Sequence, residues 1–267
     1  MIGQARLVGE LMSMTGPDAP KTVMLVGGHG CGKHTLAGEF AERVGLPISD
    51  LTETVSFETL QEAAMNPLPT MYLIDVDKLT EQKQNAVLKF IEEPPANARV
   101  MLLSSDEGSV LPTVLNRCFR MRFDDYSREE LSEIVGGDVA DGVMSVCSTP
   151  GQVRMVSGYY DKLVGYCSGF AGKMEKAAKA DSFASALRIA DRINYRDEYD
   201  KFDLNVFIKV LKRELLSEYL AGNGAALELY NIVRDESSKL SDGRLNKKAF
   251  TQHMITLMWK KVKGGLT

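Results

Sequence analysis

A glycine-rich run, residues 27–35, has the residue types and spacing of a phosphate-binding loop. Gly27, Gly32 and Lys33 occupy the fixed positions of the G-x-x-x-x-G-K pattern. Glycines let backbone N–H groups turn inward around an anion, and a helix that starts after them presents its positive end to the same anion. We therefore expect the run to bind the phosphates of a nucleotide. The residues of the expected cradle are Gly27, Gly28, His29, Gly30, Cys31, Gly32, Lys33, His34 and Thr35.

The residue that follows Lys33 departs from the pattern. A Ser or Thr hydroxyl that binds Mg²⁺ normally stands at this position, and this chain has His34. Because Mg²⁺ prefers oxygen ligands, an imidazole is a poor substitute. A glycine turn that caps a helix and binds nothing is the alternative interpretation of the run.

Acidic residues follow a second apolar run. Residues 71–74 (M-Y-L-I) are followed by Asp75, Val76 and Asp77. A carboxylate at the end of a strand, beyond a phosphate loop, can hold Mg²⁺ or orient an attacking water, so Asp75 is the candidate for both roles. The alternative is that Asp77 caps the next helix and that Asp75 is only solvated at the strand end.

The elements that must position these residues can be predicted from the hydrophobic pattern. Residues 22–26, 70–74 and 99–104 are nearly continuous apolar runs, as expected for parallel strands that are buried on both faces. Between the last two strands, residues 80–93 have apolar side chains at helical spacing, and two prolines follow. This alternation predicts a three-layer α/β domain.

A series of motifs in the same part of the chain resembles one protein family. Residues 77–80 read D-K-L-T, residues 85–95 read N-A-V-L-K-F-I-E-E-P-P, and residues 111–118 read L-P-T-V-L-N-R-C. The series closely resembles the AAA+ subunits of sliding-clamp loaders, particularly the bacterial DNA polymerase III gamma/tau and delta-prime subunits. The resemblance implies a P-loop AAA+ domain with a three-layer parallel sheet, followed by a small helical lid and an all-helical collar.

The resemblance also implies roles for single residues. Ser104 or Ser105 would be the sensor hydroxyl beside the γ-phosphate, and Thr35 would lie near the α-phosphate. Arg117 looks like an arginine finger that reaches the nucleotide of a neighbouring subunit. Arg154 resembles the sensor-2 arginine of the lid.

Cofactors and partners follow from the same resemblance. The implied cofactors are ATP and Mg²⁺, with Asp75 as the catalytic and metal-binding carboxylate. The implied partners are the other clamp-loader subunits, the sliding clamp and, through the complex, primer-template DNA. We expect no membrane partner, because no apolar run approaches the roughly 20 residues that span a bilayer.

Departures from the family pattern favour a subunit with weak or absent hydrolysis. His34 removes the usual metal-binding hydroxyl. Family motors have two adjacent acids at the strand end. Whichever of these two positions Asp75 is aligned with, the other position has no acid in this chain. The stretch between Lys33 and Asp75 also lacks the zinc-binding insertion of gamma-type subunits. We therefore expect a delta-prime-like subunit that binds ATP and offers Arg117 to a neighbour.

Two alternatives stay open. An active ATPase motor of the same complex would need His34 and Asp77 to take over the roles of the missing hydroxyl and the missing strand-end acid. An unrelated P-loop kinase or nucleotide switch would need a substrate pocket with paired arginines, and the sequence has no such cluster. Hydrolysis by the purified chain, alone and with partners, distinguishes these alternatives.

The sequence divides into three predicted domains. The nucleotide-binding domain covers residues 1–122, a helical lid covers 123–168, and a helical collar for oligomerisation covers 169–267. The lid opens on a capping-box signature at residues 127–130. The collar is predicted from helical apolar stripes, with a turn at 241–243; the stripe residues are Phe183, Leu187, Ala190, Phe207, Ile208, Leu211, Leu215, Leu216, Phe250, Met254, Leu257 and Met258.

Composition sets broader limits on function. The chain has 267 residues, 44% hydrophobic and 25% charged, as in an ordinary globular protein. Its net charge of −4 gives no global basic surface for nucleic acid. The four cysteines form no C-x-x-C pair, which argues against a zinc ribbon. No basic run followed by an apolar core is visible at the N-terminus, so a cytoplasmic location is the expectation.

Overall fold

The computed structural model describes residues 1–16, 18–188, 193–194, 202–241 and 246–265. The chain forms two compact units, of which the first contains residues 1–138 and 148–154 and the second contains residues 139–147 and 155–267. The predicted lid, 123–168, is thus divided between the two units. The division into three domains stays a prediction.

The first unit is built on a five-stranded sheet. All its strand pairs are parallel, in the order β2-β3-β4-β1-β5. The strands are β1 Thr22–Val26, β2 Ile48–Asp50, β3 Thr70–Asp75, β4 Ala98–Ser104 and β5 Phe119–Arg122. The predicted parallel sheet is therefore confirmed, and the three strands predicted from apolar runs are present to within one residue.

Burial on both faces explains why the central strands are apolar throughout. Along β1, Met24 and Val26 belong to the core on one side of the sheet, whereas Val23 and Leu25 belong to the core on the other side. Successive side chains of a strand point to opposite faces, so a strand between two helical layers needs apolar residues at every position. The two outer strands are less buried, and Met121 is the one buried residue of β5.

Helices cover this sheet and form the second unit. Those of the first unit are α1 Ala5–Ser13, α2 Lys33–Val44, α3 Phe57–Met65, α4 Glu81–Glu92, α5 Pro112–Leu115 and α6 Arg128–Val135. Helix α8 Pro150–Ser157 is divided between the units after Arg154. The other helices of the second unit are α7 Asp141–Val146, α9 Tyr160–Cys167, α10 Phe170–Lys179, α11 Phe183–Leu187, α12 Leu204–Leu220, α13 Gly224–Ser237 and α14 Lys247–Gly264. Short 3₁₀ turns cover Val76–Lys78, Glu107–Ser109 and Ser238–Ser241.

The start of α6 matches the predicted capping signal, whereas Thr80, and not Asp77, caps α4. At the start of α6, the Ser127 side chain accepts from the N–H of Glu130, and the Glu130 side chain accepts from the N–H of Ser127. This capping box satisfies two N–H groups that a helix leaves without partners. Thr80 caps α4 in the same manner by accepting from the N–H of Lys83.

The second unit is almost entirely helical where the structure describes it. Two short parallel strands, β6 Ile193–Asn194 and β7 Phe202–Asp203, are the exception. The predicted stripes on α12 and α14 are largely buried, although Leu216 is 41% exposed. Ala190 and the turn residues 242–243 lie outside the described residues. Among the helices described, none has both the length and the apolar character needed to cross a membrane.

Candidate nucleotide-binding site

A cavity of about 640 Å³ lies at the carboxyl edge of the sheet, within the first unit. Ligands of open α/β sheets bind at this edge, because the loops that follow the strands meet there. Residues 29–35, between β1 and the first turn of α2, form one wall. Asp75, the last residue of β3, and Asp77 form another, and the rest of the lining includes Tyr126 and Arg154. The volume lies within the range of small-molecule sites.

The loop between β1 and α2 needs glycine at two positions where its backbone turns. Gly30 and Gly32 have φ angles of +74° and +104°, a region that other residues rarely adopt. A Cβ on Gly30 would also lie 2.6 Å from the Cα of Gly151, which is closer than packed atoms approach. The pattern of glycines therefore encodes one particular loop conformation.

Hydrogen bonds from side chains and from a distant segment hold the loop carbonyl groups. Lys33 Nζ donates to the carbonyls of Gly27 and Gly28 at 2.5 and 3.3 Å. The carbonyl of His29 accepts from the Thr149 hydroxyl at 2.7 Å, and that of Gly30 accepts from the N–H of Gly151 at 3.0 Å. The carbonyl of Cys31 accepts from the Tyr126 hydroxyl at 2.6 Å. Because the carbonyl of each residue from 27 to 31 accepts from the protein, the loop is fixed without using the N–H groups at the start of α2.

The start of α2 is suited to an anion. Its N-cap is Gly32, which supplies no side-chain hydrogen bond, and its first turn contains no acidic residue. The first N–H groups of a helix lack intrahelical partners, and the helix dipole is positive at this end. The predicted cradle residues Lys33, His34 and Thr35 form this first turn and line the cavity. The structure thus brings the predicted loop residues 29–35 together around one cavity.

Backbone carbonyl groups of the loop hold the ammonium group of Lys33. Its side chain is buried, and the two carbonyl groups that accept from it are those of Gly27 and Gly28. A buried ammonium group requires such partners, because an unpaired charge is costly to bury. A phosphate in the cradle would offer stronger, charged acceptors in place of these carbonyls.

The two strand-end carboxylates have different environments. Asp77 accepts from the N–H of Ser105 at 2.6 Å and lies 2.8 and 3.1 Å from the hydroxyl groups of Ser104 and Ser109. Within the described residues, the Asp75 carboxylate accepts one hydrogen bond, from the N–H of Asp77 at 3.2 Å. Asp77 therefore joins the end of β3 to the end of β4, whereas Asp75 is the more available carboxylate.

Burial raises the pKa of the Asp75 carboxyl above its usual value, and the Asp77 carboxylate adds to the increase. Lys78, the N–H of Asp77 and His34 oppose the increase with smaller effects. This environment disfavours negative charge on Asp75, whereas a bound cation would favour it.

The two predicted sensor residues do not line the cavity. Ser104 is fully buried, and its hydroxyl lies 2.8 Å from both Asp77 Oδ1 and the carbonyl of Asp106. Ser105 contributes its N–H to Asp77. The sensor role stays a prediction. In this conformation the Ser104 hydroxyl contacts Asp77 and Asp106 at the end of β4, and it is not accessible to a ligand in the cavity.

The two predicted arginines lie in different places. Arg154 lines the cavity and donates to the carbonyl of Ile134 at 3.3 Å. Arg117 is outside the cavity lining, where it pairs with Glu92 at 3.0 Å and donates to the carbonyl of Thr113 at 3.0 Å. Its side chain is 35% exposed. The surface ion pair is thus present, and a role toward a neighbouring subunit stays a prediction.

At the metal position predicted from the sequence, Asp75 is the one strand-end carboxylate that remains available. His34 presents an imidazole where a hydroxyl would stand, and Asp77 is already engaged by Ser104, Ser105 and Ser109. In the part of the chain that the structure describes, no group of three His, Cys, Asp or Glu side chains could hold a metal ion. Residues 29–35 of the predicted cradle therefore line one cavity, phosphate binding stays a prediction, and the predicted metal site at Asp75 has a single suitable ligand.

Sequence analysis missed three residues that shape the site. Thr149 and Tyr126 fasten the loop by hydrogen bonds over 120 and 95 residues of sequence. Burial raises the pKa of Tyr126 to about 12, so its hydroxyl keeps the proton that it donates to Cys31. Asp77 was considered only as a helix cap or a substitute acid. The signal for Asp77 was the group of serines after β4, whereas nothing local marked Thr149 or Tyr126.

Comparison with known protein families supports the resemblance found in the motifs. Residues 47–127 match the family described as DNA polymerase III, delta subunit. A curated relative, the DNA polymerase III subunit delta' of Haemophilus influenzae, is 34% identical over 71 residues, which is 27% of this chain and 20% of the relative. The match thus spans about a fifth of the relative's length. The predicted resemblance to DNA polymerase III clamp-loader subunits is confirmed for this part of the chain.

Solved structures with a similar arrangement come from Thermotoga maritima. A DNA polymerase III, gamma subunit-related protein matches with a TM-score of 0.48 and 16% identity, over 96% of this chain and 99% of that protein. The RuvB Holliday junction branch migration motor matches with a TM-score of 0.45 and 15% identity, over 79% of this chain and 70% of that protein.

Proposed function

We propose that this chain is a subunit of a DNA polymerase III clamp loader that binds ATP and hydrolyses it weakly or not at all. The observation that carries the proposal is the loop at residues 27–35, whose carbonyl groups are fixed by the protein while an uncapped helix start lines the cavity. An ordered ring of peptide N–H groups and a lysine is a general solution for binding polyphosphates.

The shape and charge of the cavity support a nucleotide as the ligand. Its lining combines the polar loop with apolar side chains, including those of Ile2, Ile134 and Pro150. A polyphosphate would lie on the start of α2, and a base would lie against the apolar side chains. Lys33 and Arg154 would balance part of the phosphate charge.

Weak hydrolysis is supported by the state of the strand-end acids. Asp77 is engaged by three donors, and the environment of Asp75 disfavours its charged form. Of the two strand-end carboxylates only Asp75 is left to activate water or hold Mg²⁺, and His34 stands where the metal-binding hydroxyl would be. The loop N–H groups and Lys33 bind and orient the phosphates.

Arg117 is proposed to act in a neighbouring subunit. It lies outside its own cavity, two residues after the end of α5, and its ion pair with Glu92 is a surface pair. We also retain the expected lid at 123–168, the collar at 169–267, the cytoplasmic location, and the sliding clamp and primer-template DNA as partners of the complex.

The test measures binding and hydrolysis separately. A fluorescent ATP analogue should bind the purified chain, Lys33→Ala should remove binding, and Lys89→Ala should leave it intact, because Lys89 is exposed on α4 and outside the cavity lining. The chain alone should show little hydrolysis. In a reconstituted complex, Arg117→Ala should lower hydrolysis by about 10³-fold or more if it is a finger. Lys33-dependent hydrolysis by the isolated chain would instead identify a motor, and phosphotransfer to a metabolite would reject the clamp-loader function.

A further inference from the structure

The cavity contains several groups that can bind phosphate oxygens directly. Lys33 and Arg154 are cationic, and His34 is the second residue of α2, beside the uncapped N–H groups of that helix. In a typical phosphate loop a divalent cation carries a large share of this charge compensation. In this cavity three nitrogen-bearing side chains and the helix start are part of one lining, which also contains the carboxylates of Glu39, Asp75, Asp77 and Glu133.

Of the groups that would hold such a cation, one is replaced and another is engaged elsewhere, which leaves Asp75 as the one strand-end carboxylate available. Mg²⁺ requires near-octahedral oxygen coordination. The hydroxyl that would follow Lys33 is replaced by the His34 imidazole, which is a poor ligand for this ion. Asp77 is 2.6 Å from the N–H of Ser105 and 2.8 Å from the hydroxyl of Ser104, so it would have to leave the end of β4 to reach a metal.

We infer that this loop binds adenine nucleotides without a divalent cation, and that His34 is the residue that makes binding independent of the metal. The inference rests on the proposed nucleotide binding at residues 27–35 and names the form of nucleotide that the site accepts. His34 donates a ring N–H to a phosphate oxygen that a metal ion would otherwise contact. Asp77 remains a structural link between β3 and β4 when the site is filled.

The decisive experiment compares nucleotide affinity with and without Mg²⁺. The full chain is titrated calorimetrically with ADP and with ATP, in buffer containing MgCl₂ and in buffer containing EDTA at matched ionic strength. We expect the two dissociation constants for each nucleotide to agree within about twofold, a difference that corresponds to less than 1.4 kcal/mol. A loss of affinity of about tenfold or more in EDTA would overturn the inference.

A substitution at His34 tests which residue is responsible. His34→Thr restores the hydroxyl of the usual pattern, and we expect affinity to become dependent on Mg²⁺ by about fivefold or more because an oxygen ligand is again available. His34→Gln keeps an N–H donor and should remain independent of the metal. If His34→Thr binds equally well in both buffers, His34 is not the determinant.

The outcome for the proposed function is separate. If the unmodified chain binds neither ADP nor ATP in either buffer, nucleotide binding itself is rejected. If it binds only with Mg²⁺, nucleotide binding stands and the metal-independent mode fails. Lys33→Ala should abolish binding in both buffers, which verifies that the measured site is the loop. A far-ultraviolet circular dichroism spectrum of each variant excludes unfolding as the cause.

Discussion

The loop at residues 27–35 and the strand-end acids lie at the same edge of one sheet, yet they match the pattern expected of a nucleotide-hydrolysing site to different degrees. The loop, residues 27–35, keeps its glycines, its lysine and an uncapped helix start. The acidic corner keeps Asp75 and Asp77, but Asp77 is bonded to the end of β4 and Asp75 is partly buried. Binding depends largely on backbone geometry, whereas hydrolysis depends on free side chains, so the second can be lost while the first persists.

The largest expected effect comes from removing the conformational freedom of the loop. In Gly30→Ala the new Cβ would meet the Cα of Gly151, and an alanine at a φ of +74° is strained. The left-handed conformation costs about 1–2 kcal/mol and the overlap about 1–3 kcal/mol. We expect loss of nucleotide binding and faster hydrogen exchange in peptides covering the loop.

Gly38→Ala is the matched control for this substitution. Gly38 lies within α2, and a Cβ there meets no other atom within 4 Å. Alanine in a helix interior is more favourable than glycine by roughly 0.5–1 kcal/mol, so this variant should bind nucleotide and be slightly more stable. Hydrogen exchange is the appropriate measurement because Trp259, the single tryptophan, belongs to the second unit. Equal effects of the two substitutions would contradict the role given to Gly30.

The acidic corner should respond less strongly and in a different property. Asp77→Ala removes the acceptor of the Ser105 N–H and one partner of the Ser104 hydroxyl, inside a buried region. An unsatisfied buried donor costs about 1–3 kcal/mol, so peptides at the end of β4 should exchange faster. Asp77→Asn retains an acceptor oxygen and should be milder. Hydrolysis that falls in Asp77→Ala while exchange stays unchanged would mean that Asp77 is a catalytic acid after all.

The pH dependence of the free energy of unfolding tests whether Asp75, in the acidic corner, is unfavourable in its charged form. Its pKa is raised in the folded chain by burial and then by Asp77, so the folded state binds the proton more tightly than the unfolded state. The contribution of Asp75 is therefore most favourable below its unfolded pKa and is lost as the pH rises through the folded pKa. Asp75 is the N-cap of the turn Val76–Lys78, a position that Asn also fills well, so the stability of Asp75→Asn relative to the unmodified chain should increase as the pH rises above the ordinary Asp pKa of 3.8.

Urea denaturation at several pH values, followed by hydrogen exchange in β3 peptides, measures this difference. A relative stability of Asp75→Asn that falls as the pH rises would show that the charged form is favoured in the folded chain. That result would make Asp75 a better metal ligand than its surroundings indicate.

The same contrast explains how far the sequence could predict the molecule. The strands at 22–26 and 70–75 and the loop between β1 and α2 follow from local patterns, because apolar runs and glycine spacing determine them directly. The hydrogen bond from Thr149 to His29 could not be predicted, since it depends on the fold bringing together residues 120 positions apart. Strand β2, with only three residues, carried too weak a pattern to be recognised. The engagement of Ser104 by Asp77 depends on side-chain geometry at the ends of two adjacent strands.

The smallest effect is expected at Arg117, which lies outside both regions. Its pair with Glu92 joins side chains that are 35% and 55% exposed, and exposed pairs contribute about 0.2–1 kcal/mol. A double-mutant cycle with Arg117→Ala and Glu92→Ala, measured by urea denaturation, should give a coupling energy in that range, similar to the exposed Arg6–Asp124 pair. A weak pair matters for function, because an arginine that serves a neighbouring subunit has to leave Glu92 at little cost. A coupling energy above about 2 kcal/mol would indicate that Arg117 is held in place as a structural residue and is unsuited to act as a finger.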